Sequence, residues 1–294
     1  MNHLRNPAAV LADKLLEHAE RTPSQIAFSY LEEGEQLAGI RTYGELARRA
    51  LTLSSALRAR YEPHARILLP FPPGLDFIDA FFGCLFAGLV AVPVSAVRVG
   101  RQGDRARLLL SDCNPACALQ PPSSVERSPM VVPIPTHSLD ELMADAPRAT
   151  TTLTEMAIGR PTVGAHDVAY LQYTSGSTSA PKGVVITHGN LVANARAMSS
   201  RLQLTRSDRW VSWLPHFHDM GLVFGIALPV LVGGSCTMFA PTAFFQRPAR
   251  WLLTVSRERA TATAAPNFAF DAVIDSIKED ELHKLDLSCL RVVI

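Results

Sequence analysis

The sequence predicts an α/β fold, with layered parallel or mixed sheets flanked by helices. Three observations carry that expectation. Between Ala65 and Val94, a strand-like run, a Pro72-Pro73-Gly74 turn, an apolar helical stretch and a second strand-like run follow one another. Both runs are continuously apolar, the pattern of parallel strands covered on both faces. Finally, 48% of the 294 residues are apolar, enough for a large core in one or two domains.

Taken in order, Ala8 to Glu20 places Val10, Leu11, Leu15, Leu16 and Ala19 at helical spacing above a wet face. Ile26 to Leu31 reads as a strand, Gly34 as a turn and Leu37 to Arg41 as the hairpin partner. Thr42 with Glu45 three residues on forms a capping box for a helix reaching Leu57. Ala65 to Pro70 and Leu89 to Val94 are strands, and Leu75 to Gly88 is a helix apolar almost all round. Arg98 to Arg107 is a basic connection leading into a helix. Pro115 to Thr162 is dense in proline, serine and threonine. Short strands are expected there at 116–119 and 130–134, with a linker and internal boundary at 159–166.

Val168 to Tyr173 and Gly183 to Thr187 are strands, and Asn190 is expected to cap the helix that follows. Asp208 to Leu214 is a strand. Gly221 to Val232 reads as a buried helix, Gly233-Gly234 as a turn and Ser235 to Ala240 as a strand. Pro248 opens a helix through Arg259. Ala260 to Ala265 is a small-residue strand, Asn267 caps another helix, and 289–294 is an apolar strand. Residues 60–205 are expected to form a first α/β subdomain, and 1–59 with 206–294 a second.

Composition excludes several classes. Lys and Arg total 28 against 27 acidic residues, so no basic field is available for nucleic acid or anionic lipid. Five scattered cysteines make no disulfide framework and fit a reducing, cytoplasmic setting. Cys113 and Cys117 do not form a zinc pair, and no metal site is expected in this stretch of chain. Met220 to Gln246 carries no charge and is long enough to span a bilayer, yet Pro229 and Gly233-Gly234 interrupt it. No membrane span is expected, and no apolar core follows Met1 to Asn6 to make a signal peptide.

Two stretches carry chemistry. Thr174-Ser175-Gly176-Ser177-Thr178-Ser179-Ala180-Pro181-Lys182-Gly183 offers five hydroxyls, two glycines and one lysine between two strands. Glycines let backbone N–H groups approach an anion, hydroxyls add neutral donors, and a lysine adds mobile charge. Polyphosphate binding and a plain hydroxyl-rich surface loop both fit that composition. The spacing is not that of the G-x-x-x-x-G-K-[ST] nucleotide loop. The second stretch is Trp213-Leu214-Pro215-His216-Phe217-His218-Asp219-Met220-Gly221-Leu222, at a strand-to-helix junction. Its two histidines and the aspartate could ligate metal, could cap and fill a core, or a histidine could hold an anion at the helix N-terminus.

The first stretch resembles the signature loop of the adenylate-forming (AMP-binding) superfamily, T-S-G-S-T-G-x-P-K-G, departing from it at Ser179. The second, with Phe244-Phe245-Gln246-Arg247-Pro248-Ala249-Arg250-Trp251, resembles motifs of the fatty acyl-AMP ligase branch. The resemblance covers residues 42–294. It implies the incomplete large N-terminal domain of such an enzyme, with the small C-terminal domain outside this sequence. It further implies activation of a long-chain fatty acid with ATP and Mg²⁺ to acyl-AMP, for transfer to an acyl carrier protein. The metal ligand and a catalytic lysine would lie beyond Ile294, so these 294 residues by themselves are expected to be inactive. A fatty acyl-CoA ligase is the alternative, and a non-catalytic nucleotide- or lipid-binding module the rival of another class. By the same resemblance, Thr174, Ser175, Gly176, Ser177, Thr178 and Lys182 bind the ATP phosphates. His218 orients the carboxylate, His216 stays structural, and Pro266, Asn267, Phe268 and Phe270 line the acyl pocket; the alternative for Phe268 and Phe270 is a place in the core.

Overall fold

A computed structural model describes residues 10–95, 103–122, 134–146, 152–174 and 181–294. Among them lie twelve strands: β1 (Ile26–Glu32), β2 (Gln36–Thr42), β3 (Arg66–Leu69), β4 (Val90–Pro93), β5 (Cys117–Gln120), β6 (Thr136–Ser138), β7 (Val168–Thr174), β8 (Lys182–Thr187), β9 (Arg209–Ser212), β10 (Ser235–Phe239), β11 (Ala262–Thr263) and β12 (Val292–Val293). The chain divides into two compact units, one of residues 1–23, 43–72 and 76–192, the other of 24–42, 73–75 and 193–294.

In the first unit the strand order is β6-β5-β3-β4-β7-β8. All neighbours are parallel except the β7–β8 pair. The buried strands β3 and β4 are joined through the helix Leu75–Ala87, the right length for a parallel crossover. That helix is buried all round from Phe77 to Ala87, as its apolar run requires. Phe81 stacks on Phe77 and meets Tyr170 of β7 edge-on. Asp79 is fully buried there and is neutralised by Arg49, whose Nε lies 2.6 Å from its carboxylate. A buried charge without such a partner would be costly.

The second unit repeats the plan. Its order is β12-β11-β9-β10-β1-β2, parallel throughout except for the β1–β2 hairpin. Asp208, almost wholly buried, ties its far edge together. Its carboxylate accepts from Thr261 Oγ1 at 2.6 Å, Arg291 Nη2 at 2.8 Å and the Thr205 N–H at 2.7 Å.

The structure corrects several expectations. The helices Leu11–Arg21 and Tyr43–Arg58 belong to the first unit, not the second; only the β1–β2 hairpin between them joins the second. Their apolar faces pack on each other, which outweighs their position in the chain. Residues 159–166 are no boundary. They lie inside the first unit, with the Pro161 ring so close to Gly88 that a Cβ there would sit 2.9 Å away. Asn190 is not the cap of the helix His188–Arg201 but its third residue. Thr187 Oγ1 accepts the Asn190 N–H, and Asn190 Oδ1 accepts the Thr187 N–H, both at 3.1 Å. Similarly, Pro266 holds the extended cap position before the helix Asn267–Ser276, and Asn267 is its first turn. The strand expected at 130–134 falls mostly outside the described residues, and the connection 98–107 falls there in part. The strand β6 just beyond was not foreseen. All five cysteines are free. Among the described residues, no helix is long and apolar enough to cross a membrane.

Candidate functional site

The hydroxyl-rich stretch connects the two arms of an antiparallel hairpin. Tyr173 faces Gly183 and Thr174 faces Lys182 across β7 and β8. Ser175, Gly176, Ser177 and Thr178 lie outside the described residues. Lys182 is exposed at the mouth of the connection.

The root of that hairpin is crowded for a reason. A Cβ on Gly183 would lie 2.8 Å from Cζ of the Tyr173 ring and 3.0 Å from its hydroxyl. The ring therefore lies across the glycine, the one residue that leaves it room. The Tyr173 hydroxyl donates to the carboxylate of Asp112 in the helix Gly103–Cys113. Burial, and then that hydrogen bond, hold the Tyr173 phenol well above its ordinary range, so it stays a donor at any physiological pH. A cleft of about 360 Å³ opens beside it, lined by His64, Arg66, Asp112, Leu171, Tyr173 and Val185 among others.

The histidine stretch leaves β9 and turns sharply. The His218 N–H donates to the Pro215 carbonyl at 3.0 Å, and the His218 carbonyl accepts from the Leu222 N–H at 2.9 Å. Met220–Ala227 then winds as a π-helix before continuing as the α-helix Leu228–Val232. The helix was foreseen; its wide turns were not. Such turns are rare and concentrate at functional sites.

The π-helix sits close to the strand end because of two glycines. A Cβ on Gly221 would collide with the Pro215 carbonyl, and one on Gly225 would lie 3.0 Å from Ser212 Oγ. Asp219 caps the helix by accepting the Met220 N–H at 2.7 Å. The same oxygen lies 2.8 Å from Nδ1 of His218, whose side chain is about two-thirds exposed at 65%. A carboxylate on Nδ1 fixes that nitrogen as the donor and sets the ring's orientation, leaving Nε2 to meet a ligand. His216, by contrast, is buried and packs edge-on against Phe217.

Around this turn stands a slab of rings. Trp213 stacks on Phe244 with centroids 3.8 Å apart and planes within 5°. Trp251 meets both of them edge-on and touches Phe270 at 5.2 Å. Phe268 is half exposed and stacks on the exposed Phe245. Of the four residues expected along an acyl pocket, Phe268 and Phe270 join this slab, Pro266 is half-buried and Asn267 is exposed.

Thr174 and Lys182 are thus brought together in the first unit, and Trp213, Phe268 and Phe270 in the second. Among the described residues, no three histidine, cysteine or acidic side chains gather as a metal site. Two neighbours of the site were not foreseen: Tyr173 and Asp112. An aromatic residue directly opposite a glycine across the hairpin was the available signal for the first. Nothing in the sequence pairs Tyr173 with Asp112, 61 positions away.

Comparison with known proteins agrees with this architecture. The family model described as AMP-binding enzyme matches residues 15–294. The chain is 34% identical over 293 residues to the medium-chain-fatty-acid–[acyl-carrier-protein] ligase JamA of Moorena producens, covering 96% of this chain and 48% of JamA. It is 35% identical over 288 residues to the long-chain-fatty-acid–AMP ligase FadD23 of Mycobacterium tuberculosis, covering 92% of this chain and 48% of FadD23. A fatty acyl-adenylate ligase from L. pneumophila, solved with acyl adenylate and pyrophosphate, superposes with a TM-score of 0.87 at 31% identity. The match covers 97% of this chain and 49% of that one. The chain spans about half the length of the curated relatives it matches. It belongs to the AMP-binding enzyme family, among relatives that are fatty acyl-AMP ligases.

Proposed function

We propose that the whole protein activates a long-chain fatty acid with ATP, forming acyl-AMP and releasing pyrophosphate, and loads the acyl group onto an acyl carrier protein. The observation that carries this reading is the signature sequence Thr174 to Gly183, whose two ends pair as Thr174 with Lys182 in a hairpin, in a chain of this family. In the reaction the carboxylate oxygen bonds to the α-phosphorus as the bond to the β,γ-pyrophosphate breaks. No covalent enzyme intermediate is required; alignment and charge neutralisation supply the rate. The N–H groups and hydroxyls of Thr174, Ser175, Gly176, Ser177 and Thr178 hold the β- and γ-phosphates, with Lys182 adding a cation. His218, oriented by Asp219, holds the substrate carboxylate through Nε2. The aromatic slab from Trp213 to Phe270 offers the apolar surface an acyl chain needs, with Pro266 and Asn267 at its border. Mg²⁺ would accompany ATP, held largely by the phosphates and water. The setting is cytoplasmic, where ATP and carrier proteins are found.

The test is ATP–pyrophosphate exchange with a fatty acid in the full-length protein. Lys182→Ala and His218→Ala should each cut exchange by about 100-fold or more. Near-wild-type exchange in both would sink the assigned roles. Offering the acyl-adenylate a holo carrier protein or CoA then decides the acceptor; transfer to CoA alone would make the protein an acyl-CoA ligase.

A further inference from the structure

The signature loop needs a fixed base, because β8 is the edge of its sheet and pairs only with β7. On its other side β7 pairs with β4, the Ala91–Tyr170 pair lying three residues before Tyr173. Nearer the loop the hold is lateral: the Tyr173 ring covers Gly183 and packs on the core cluster that includes Leu109 and Cys113, and its hydroxyl reaches Asp112 in the helix Gly103–Cys113. Tyr173 and Gly183 are the residues next to Thr174 and Lys182, which face each other where the described strands end. Shifting the ring would shift both arms.

We propose that Asp112, Tyr173 and Gly183 act as a clamp that positions Thr174 and Lys182 for the ATP phosphates. The inference rests on the reading above and assigns two positioning residues, Asp112 and Tyr173, that touch no substrate. The clamp works as one unit: a carboxylate acceptor, a phenol donor and a glycine that lets the phenol lie flat. Burial keeps the phenol protonated, and so a donor, through the physiological range.

The experiment uses exchange kinetics of the full-length protein, varying ATP and fatty acid separately. Tyr173→Phe and Asp112→Ala should each raise KM for ATP about tenfold, the loss of one hydrogen bond to a charged acceptor, and leave KM for the fatty acid unchanged. The double variant should be no worse than either single, because each change breaks the same contact. Asp112→Asn keeps a carbonyl acceptor and should restore most of the ATP affinity.

The proposal falls if KM for ATP stays within about twofold of wild type in both singles, if KM for the fatty acid rises in parallel, or if the double variant multiplies the two effects. Lys182→Ala, run alongside, separates the two readings: exchange lost there but unchanged in Tyr173→Phe removes the clamp and keeps the function. If the wild-type protein shows no exchange with any carboxylate, the functional reading fails. The clamp is then judged by amide hydrogen exchange over Lys182–Thr187, which Tyr173→Phe should accelerate and Asp112→Asn should not. Equal rates would overturn it.

Discussion

The hairpin root and the histidine turn solve one problem in opposite ways. Each must present a polar group at the end of a strand, and each depends on a glycine. At the hairpin, Gly183 is needed because a tyrosine ring lies over it, a ring that packs on the core and whose hydroxyl bonds to Asp112. At the turn, Gly221 is needed because the backbone itself comes back, with the Pro215 carbonyl where a Cβ would be. One is a side-chain contact that can swing; the other is main chain against main chain. A strand end steadied by side chains can give way to a substituent, while one built by backbone packing cannot.

That contrast can be broken by measurement. The largest effect should come from Gly221→Ala. Neither the carbonyl nor the π-helix can move alone, so urea unfolding should show a loss of roughly 3 kcal/mol or more. A loss below 1 kcal/mol would mean the turn is as pliable as the hairpin.

Next comes the pH response of the segment behind the hairpin. His188 is buried at the start of its helix, and burial pushes its imidazole down to about 4, against smaller upward pulls from Asp167 and Asp13. The folded value lies below the unfolded value of about 6.5, so the unfolded chain takes the proton first. The stability this residue contributes is present above pH ~6.5 and drains away as pH falls towards 4, up to about 3 kcal/mol. His188→Gln should flatten that part of the curve, and an unchanged slope would show that other groups carry it.

The smallest effect belongs to Gly183→Ala, about 1 kcal/mol, because the Tyr173 ring can rotate aside. Its signature is kinetic instead: displacing the ring should break the bond to Asp112 and copy the raised ATP KM of Tyr173→Phe. Equal destabilisation by the two alanines would erase the distinction between the halves.

Much of this fold was legible because its signals are local. The helix Leu75–Ala87, apolar on every side, could only be buried, and the continuous runs flanking it could only be parallel interior strands. The signature stretch is likewise a feature of adjacent residues. Helix caps were read one to three positions off. Thr187 and Asn190 cap reciprocally, and the pattern of hydroxyl and amide does not say which residue leads. The partition into units was misread for a stronger reason: the helices Leu11–Arg21 and Tyr43–Arg58 flank a hairpin that belongs elsewhere, and chain order carries no record of that excursion.

The chain by itself determined which segments are strand or helix, which helices are buried, and that a hydroxyl-rich loop and a histidine turn follow strands. Side-chain periodicity and turn chemistry act within a few residues, and those are written in order. Only the tertiary structure decided the strand orders β6-β5-β3-β4-β7-β8 and β12-β11-β9-β10-β1-β2, the π-helical winding after Asp219, and the reach of Tyr173 to Asp112. Those depend on which apolar faces find each other across long stretches of chain, where close packing, not local preference, chooses the outcome.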